Sequence, residues 1–248
     1  MQSVDFRSES HFEGFRKLYI LNRTNNSILV KMKETKSGEL CIFKYFMPPI
    51  IPLDNIEKEY NIQSSISHPN ILRILGRFRA NKYIAFQMPF LPGGTLTEAI
   101  QKKRIIYPKS LAIIFRKLLE VLKYLHKRRI LHGDISPNNI MFETTDFTEP
   151  NPILIDFGCS QVVHMDNLVC EYAGTKGFVA PEVEKRIPHG LPSDIWALGA
   201  LILYIVNHNQ DLSSPMLSSL ISSMLVPNPS QRPSASKCLE HEYFNIGE

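Results

Sequence analysis

LHGDISPNNIMF, Leu131 to Phe142, decides the reading of this chain when it is taken together with LIDFG, Leu154 to Gly158. Asp134 and Asn139 stand five positions apart, with Pro137 stiffening the segment between them. Asp156 follows a short apolar strand, after a turn rich in Asp, Thr, Glu and Pro. Three oxygen-bearing side chains so spaced can place a general base beside a hydroxyl and offer two oxygen ligands to magnesium. Taken singly, each piece has a plainer meaning. A DFG triplet is usually a turn after a strand, and an Asp with an Asn five residues on is usually a capped loop. Further segments follow in a fixed order, APE at Ala180 to Glu182, DIWALG at Asp194 to Gly199, and Arg232 near the end, and their joint occurrence weighs against chance.

In this order the motifs resemble the catalytic loop HxDxxxxN and the metal-binding DFG of the protein kinases. The resemblance covers residues 14 to 246. It implies an α+β, bilobal protein kinase-like fold. A small N-terminal lobe, residues 1–88, would carry a five-stranded antiparallel sheet and one helix. A hinge at 89–94 would lead to a larger, mainly helical lobe at 95–248, the whole making one kinase domain.

The residue patterns agree with that division. Leu18 to Leu21, Ile28 to Met32, Leu40 to Phe46, Leu72 to Phe78 and Tyr83 to Met88 read as strands. Leu53 to Ser67 carries Ile56, Glu59, Tyr60, Ile62 and Ile66 at helical spacing, with Asp54 and Asn55 suited to a first turn. After PFLPGG, Pro89 to Gly94, Leu111, Ile114, Phe115, Leu118, Leu122 and Leu125 form the apolar stripe of a long helix. Asp194 to Val206 is apolar around its circumference and predicts a central buried helix; Leu217 to Leu225 and Ser234 to Leu239 predict two more.

Carried over residue by residue, the resemblance assigns roles. Asp134 would accept the proton of the substrate hydroxyl, Asn139 would bind one magnesium ion and Asp156 both. Lys44, on the third strand in CIFK, would hold the α- and β-phosphates of ATP, and Glu59 would pair with it. Glu59 is preferred to Glu57 because it lies nine residues before His68 of the HPNI turn. Met88 would guard the space behind adenine, the carbonyl of Pro89 and the N–H of Leu91 would face the adenine edge, and Leu21, Leu29 and Ile42 would cover the base. Ordinary strand core is an equally good account of Leu29 and Ile42. His132 reads as a structural histidine, Glu182 and Arg232 as a buried ion pair. Thr175 matches the threonine that serine/threonine kinases set against the catalytic aspartate.

Four departures from the family pattern stand out. Asn22, Thr24 and Ser27 occupy the positions of the phosphate-covering glycines; short polar side chains there could hydrogen-bond phosphates instead. Gly133 replaces an arginine that pairs with a phosphorylated activation loop, so activity should not require that phosphorylation, a point to be tested by glutamate at Ser160 and Tyr172. Ser136 stands where a lysine would stabilise the transferred phosphate, which predicts slow catalysis. Only 36 residues separate Trp196 from Arg232, so a substrate-docking helix should be short or missing.

Composition adds bounds. The chain has 248 residues, 28 Lys and Arg against 24 Asp and Glu, and a formal charge of +4. The basic clusters at Lys102 to Arg104 and Lys127 to Arg129 read as solvated helix ends, not a nucleic-acid surface. Cys41, Cys159, Cys170 and Cys238 show no CxxC spacing and read as reduced thiols of a cytoplasmic protein. The first residues lack an apolar core, so no secretory signal is expected. The longest nearly apolar run, Ile195 to Val206, is 12 residues, too short to cross a membrane.

The implied activity is an ATP- and Mg2+-dependent protein kinase acting on Ser/Thr of protein substrates. Two other classes use the same fold: a pseudokinase that binds nucleotide or scaffolds partners without turnover, and a kinase of small molecules. The missing glycines and Ser136 favour the pseudokinase; Lys44, Glu59, Asp134, Asn139 and Asp156 together oppose it.

Overall fold

The computed structural model describes residues 12–24, 27–47, 51–80, 83–105, 107–163 and 168–245. The first residues, read above for a secretory signal, lie outside them. By contacts the chain divides into two units, one of residues 1–65 and 72–90, the other of 66–71 and 91–248.

The first unit is built on alternation. Strands β1 (Phe15–Arg23), β2 (Ile28–Glu34) and β3 (Leu40–Phe46) precede helix α1 (Leu53–Ser64), and β4 (Gly76–Ala80) and β5 (Tyr83–Pro89) follow it. All neighbours pair antiparallel in the order β1-β2-β3-β5-β4. Side chains two apart on a strand share a face, so the sheet sorts its residues in two. Ile28, Val30, Met32, Cys41, Phe43, Tyr45 and Ala85 form a core on one face, joined by Phe12, Phe15 and Phe78. On the other, Phe46, Ile84 and Phe86 pack with Ile56 of α1 and with Tyr60 and Ile74.

Two boundaries differ from the sequence reading. Helix α1 stops at Ser64, where the Ser65 hydroxyl donates to the Ile62 carbonyl at 2.8 Å. Residues 72–75 lie outside the ladder: the Leu72 carbonyl is taken by Gln63 Nε2 at 2.8 Å, and strand pairing starts at Gly76 with Gln87. The segment 66–71, which the sequence reading ran into the first lobe, groups with the second unit. There the Leu154 N–H donates to the Asn70 carbonyl at 2.8 Å, and Asn70 Nδ2 donates to the Pro152 carbonyl at 2.8 Å.

In the second unit the two-residue strand β6 (Gly94–Thr95) leads into α2 (Leu96–Gln101), whose N-terminus is capped by the Thr95 hydroxyl. The long helix α3 (Pro108–Lys127) buries Leu111, Ile114, Phe115, Leu118, Leu122 and Leu125, the stripe seen in the sequence. Short strands β7 (Ile130–Leu131), β8 (Ile140–Phe142), β9 (Pro152–Leu154) and β10 (Gln161–Val162) make two small sheets, β10-β7 and β6-β8-β9. Helices α4 (Pro181–Glu184), α5 (Pro192–His208), α6 (Pro215–Met224) and α7 (Ala235–Leu239) complete the unit. Helix α5 is buried along most of its length, though not all round as its apolar sequence suggested: Leu203 is 38% exposed. Only one 3-10 turn, Gln210–Leu212, separates α5 from α6, and this is where the chain is short. No helix among the described residues is long and apolar enough to cross a membrane.

Candidate functional site

The strand lysine is held within the first unit. Lys44 lies on β3, and Lys44 Nζ donates to Glu59 Oε1 of α1 at 2.7 Å with both side chains buried. The alternative partner, Glu57, is taken by Arg77. By register Leu29 faces Lys44 across β2–β3 and Ile42 faces Met88 across β3–β5, so Leu29, Ile42, Lys44 and Met88 share the face opposite the aromatic core. Leu29 and Ile42 are half-buried on that face. Leu21 is set apart. It falls where the β1–β2 register slips between Ile20 and Asn22, and it is 44% exposed. Pro89 ends β5 opposite Cys41, and Leu91 is buried in the second unit, its N–H without a hydrogen-bond partner among the described residues.

The β1–β2 turn does not behave as its polar side chains suggested. The Thr24 hydroxyl accepts the Ser27 N–H at 3.0 Å and donates to the Ser27 carbonyl at 3.2 Å, and the Thr24 N–H donates to the same carbonyl at 2.9 Å. These groups satisfy one another, so the hydroxyl and two N–H groups that could have met a phosphate already have partners. Residues 25 and 26 lie outside the described residues.

The catalytic-loop segment in the second unit is fixed from below by a buried carboxylate. Asp194, in the first turn of α5, accepts the N–H of His132 at 3.0 Å, the N–H of Gly133 at 3.0 Å and Nε2 of His126 at 3.0 Å. Burial pushes the Asp194 carboxyl up, but the bond and charge of His126 and the backbone N–H of His132 outweigh that and hold it below the ordinary range. Sequence reading missed His126; its signal was a histidine in the last turn of α3, next to the buried stripe at Leu125. Gly133 takes φ +80°, and a Cβ there would stand 2.8 Å from the Cys159 carbonyl oxygen. Glycine suits that backbone; any side chain forces a shift.

His132 is structural. Its Nδ1 accepts the Asp134 N–H at 3.2 Å, its Nε2 donates to the Ile155 carbonyl at 3.2 Å, and its buried ring meets Phe157 edge-on with centroids 5.0 Å apart. Asp134 itself collects donors. Its Oδ1 accepts the Thr175 N–H at 2.8 Å and the Thr175 hydroxyl at 2.7 Å, while Oδ2 accepts Asn139 Nδ2 at 2.7 Å. Asn139 Nδ2 also reaches the Asp134 carbonyl at 2.9 Å, which leaves Asn139 Oδ1 as the open acceptor of that amide. Asp156, just after β9, is exposed and takes φ +61°, an unusual backbone for a non-glycine residue, with its Oδ1 accepting the Gly158 N–H at 3.2 Å.

Burial decides what two serines can do here. Ser136 is fully buried and its Oγ has no hydrogen-bond partner among the described residues. The following Pro137 holds it extended, at φ −150° and ψ 163°, with the hydroxyl turned inward where it cannot stand in for a lysine. Ser160 is also fully buried, its hydroxyl donating to the His132 carbonyl at 3.1 Å, so glutamate there would break the loop and test nothing about phosphorylation. Tyr172, 43% exposed, remains a fair probe.

The Glu182–Arg232 pair is present and saturated. The two guanidinium NH groups donate to the two carboxylate oxygens at 2.5 and 2.7 Å, and the carbonyls of Val226, Pro192 and Pro227 take the remaining donors at 2.8, 3.1 and 3.0 Å.

Comparison with known proteins agrees with this geometry. Residues 21–214 match the family model described as protein kinase domain. The chain is 30% identical over 214 residues, 75% of its length, to serine/threonine-protein kinase Nek6 of Oryza sativa subsp. japonica, and covers 39% of that protein. It is 29% identical over 253 residues to serine/threonine-protein kinase Nek8 of Danio rerio, with 92% of the chain and 35% of the relative covered. To mitogen-activated protein kinase kinase kinase A of Dictyostelium discoideum it is 27% identical over 218 residues, 77% of the chain and 22% of the relative. The chain thus spans well under half the length of these relatives. With the family model covering most of its residues, the chain belongs to the protein kinase family.

Proposed function

We propose that the protein transfers the γ-phosphate of ATP, with magnesium, to Ser/Thr hydroxyls of protein substrates. The observation that carries this reading is the set of bonds on Asp134. Thr175 and Asn139 orient its carboxylate, and Oδ2 keeps acceptor capacity for the hydroxyl proton. Asn139 Oδ1 and the exposed Asp156 carboxylate are hard oxygen donors that would hold magnesium, and the ion would supply positive charge to neutralise the phosphates. Lys44, oriented by Glu59, supplies positive charge to the α- and β-phosphates. As the hydroxyl oxygen forms its bond to the γ-phosphorus and the bond to the leaving ADP oxygen breaks, Asp134 takes the hydroxyl proton.

The serine/threonine preference is supported by the Thr175–Asp134 contact and by the named relatives. A cytoplasmic location is part of this reading, in keeping with four cysteines that form no disulfide. The second reading, a pseudokinase, is favoured by the closed Thr24–Ser27 turn and the inward Ser136 hydroxyl, both of which remove phosphate contacts. Incubation with labelled ATP, magnesium and a mixed peptide library, beside an Asp134→Asn control, decides between them. Label on Ser/Thr peptides that disappears in the control is the expected result; folded protein that transfers no label overturns the proposal.

A further inference from the structure

Lys44–Glu59 is not the only ion pair that ties α1 to the sheet. The β ladder sets Leu29, Lys44, Phe86 and Arg77 in one row across β2, β3, β5 and β4, by the register pairs Leu29–Lys44, Lys44–Phe86 and Arg77–Phe86. Helix α1 meets three of these four residues. Glu59 meets Lys44 at 2.7 Å, Tyr60 meets Phe86 with ring centroids 5.4 Å apart, and Glu57 takes Arg77 through both carboxylate oxygens. The Arg77 guanidinium also lies over the Tyr60 ring, 4.8 Å from its centroid.

The spacing of the two carboxylates gives this arrangement its consequence. Residues two apart on an α-helix project about 200° from each other. Glu59 therefore lies within the buried face of Ile56, Glu59, Ile62 and Gln63 while Glu57 stands outside it, on the far side of Ile56, and each is fastened to a cation of the same sheet. Rolling α1 one way lengthens one pair, and rolling it the other way lengthens the other. Isolated exposed ion pairs contribute little, but a two-pronged Arg–carboxylate contact with an aromatic ring beneath the guanidinium is the geometry in which such a pair does contribute.

We infer that Arg77 is a positioning residue: through Glu57 and Tyr60 it fixes the roll of α1 that brings Glu59 to Lys44, entirely within the first unit. With Gly133 in place of a phosphate-reading arginine, this gives the protein a way to hold the Lys44–Glu59 pair without a modified activation loop. The link to phosphate binding rests on the kinase reading; the link to the roll of α1 does not.

The test uses the full chain, wild type beside Arg77→Gln, Glu57→Gln and the charge-reversed double variant Glu57→Arg/Arg77→Glu. Amide hydrogen exchange is followed in α1 and in the strands, and binding of Mg·ATP and of adenosine is measured. In each single variant, exchange in α1 should rise about tenfold while the strands stay unchanged. Mg·ATP binding should weaken about fivefold, as the docked fraction falls, while adenosine, which has no phosphates, binds as before. The reversed pair should bring both back to within about twofold of wild type. Unchanged α1 exchange in Arg77→Gln, a rise spread evenly over the strands, or no recovery in the reversed pair overturns the inference. If wild type fails to bind Mg·ATP, the proposed function falls, and the exchange data still decide the role of Arg77.

Discussion

Thr175 gives both its backbone N–H and its hydroxyl to one oxygen of Asp134, at 2.8 and 2.7 Å. Hydrogen bonds to a charged group are worth about 1.5–3 kcal/mol each, so the hydroxyl has real influence on where that carboxylate points. Thr175→Val keeps the shape and the N–H bond and removes only the hydroxyl. It should lower kcat/KM for peptide phosphorylation about 10- to 100-fold with little change in Tm. Unchanged kinetics would show that the backbone bond alone orients Asp134.

Breaking the Glu182–Arg232 pair leaves one charge buried and removes both guanidinium–carboxylate bonds. Glu182→Ala should destabilise the second unit by about 3–5 kcal/mol, read as a fall in the urea midpoint. Replacing both partners by Leu and Met should recover part of that loss, because no lone charge remains although the Val226, Pro192 and Pro227 carbonyls lose their donors. A double variant less stable than the single would contradict this account.

Asp194 makes stability depend on pH with a sign that can be stated. Its folded carboxyl lies below the ordinary value of 3.8, so its contribution is complete above that value and is lost as pH falls through the lower folded one. Asp194→Asn should be less stable than wild type near neutral pH, because the buried N–H of His132 and the part-buried N–H of Gly133 lose an anionic acceptor. The gap in unfolding free energy should shrink as pH is taken below about 3.8. A gap that stays constant through the acid range would mean the carboxylate charge does not matter.

Gly133 sits at φ +80° with the Cys159 carbonyl where a Cβ would go. Gly133→Arg, which restores the family's residue, should therefore cost about 1–3 kcal/mol of stability and not create a working phosphate receptor. Tyr172→Glu on the wild-type background should leave turnover within about twofold, since no arginine stands at 133 to read the charge. A large gain in turnover from Tyr172→Glu would refute it.

How much of this was legible beforehand follows from the range of each interaction. Lys44, Asp134, Asn139 and Asp156 carry local motifs, and Leu111 to Leu125 carry a local period, so chain order alone located them. The Asp194 carboxylate reaches back 61 and 62 residues to two backbone N–H groups, and Arg77 reaches back 20 to Glu57; neither distance leaves a mark on spacing. Ser160 proved a poor probe for a related reason: the bond of its hydroxyl to the His132 carbonyl spans 28 residues, and the burial of Ser136 beside Pro137 was equally unmarked in the sequence. The β1–β2 turn was read as polar and available, and Thr24 and Ser27 had already satisfied each other.

The central claim is that Asp156 and Asn139 hold a magnesium ion on bound ATP. Calorimetric titration of ATP into the full chain, with and without magnesium, tests it directly, beside Asp156→Asn, which keeps a residue that tolerates φ +61°. Binding that requires magnesium in the wild type and loses that requirement, with most of its affinity, in the variant is the predicted result. Absence of any binding heat, or identical binding with and without magnesium, would contradict it.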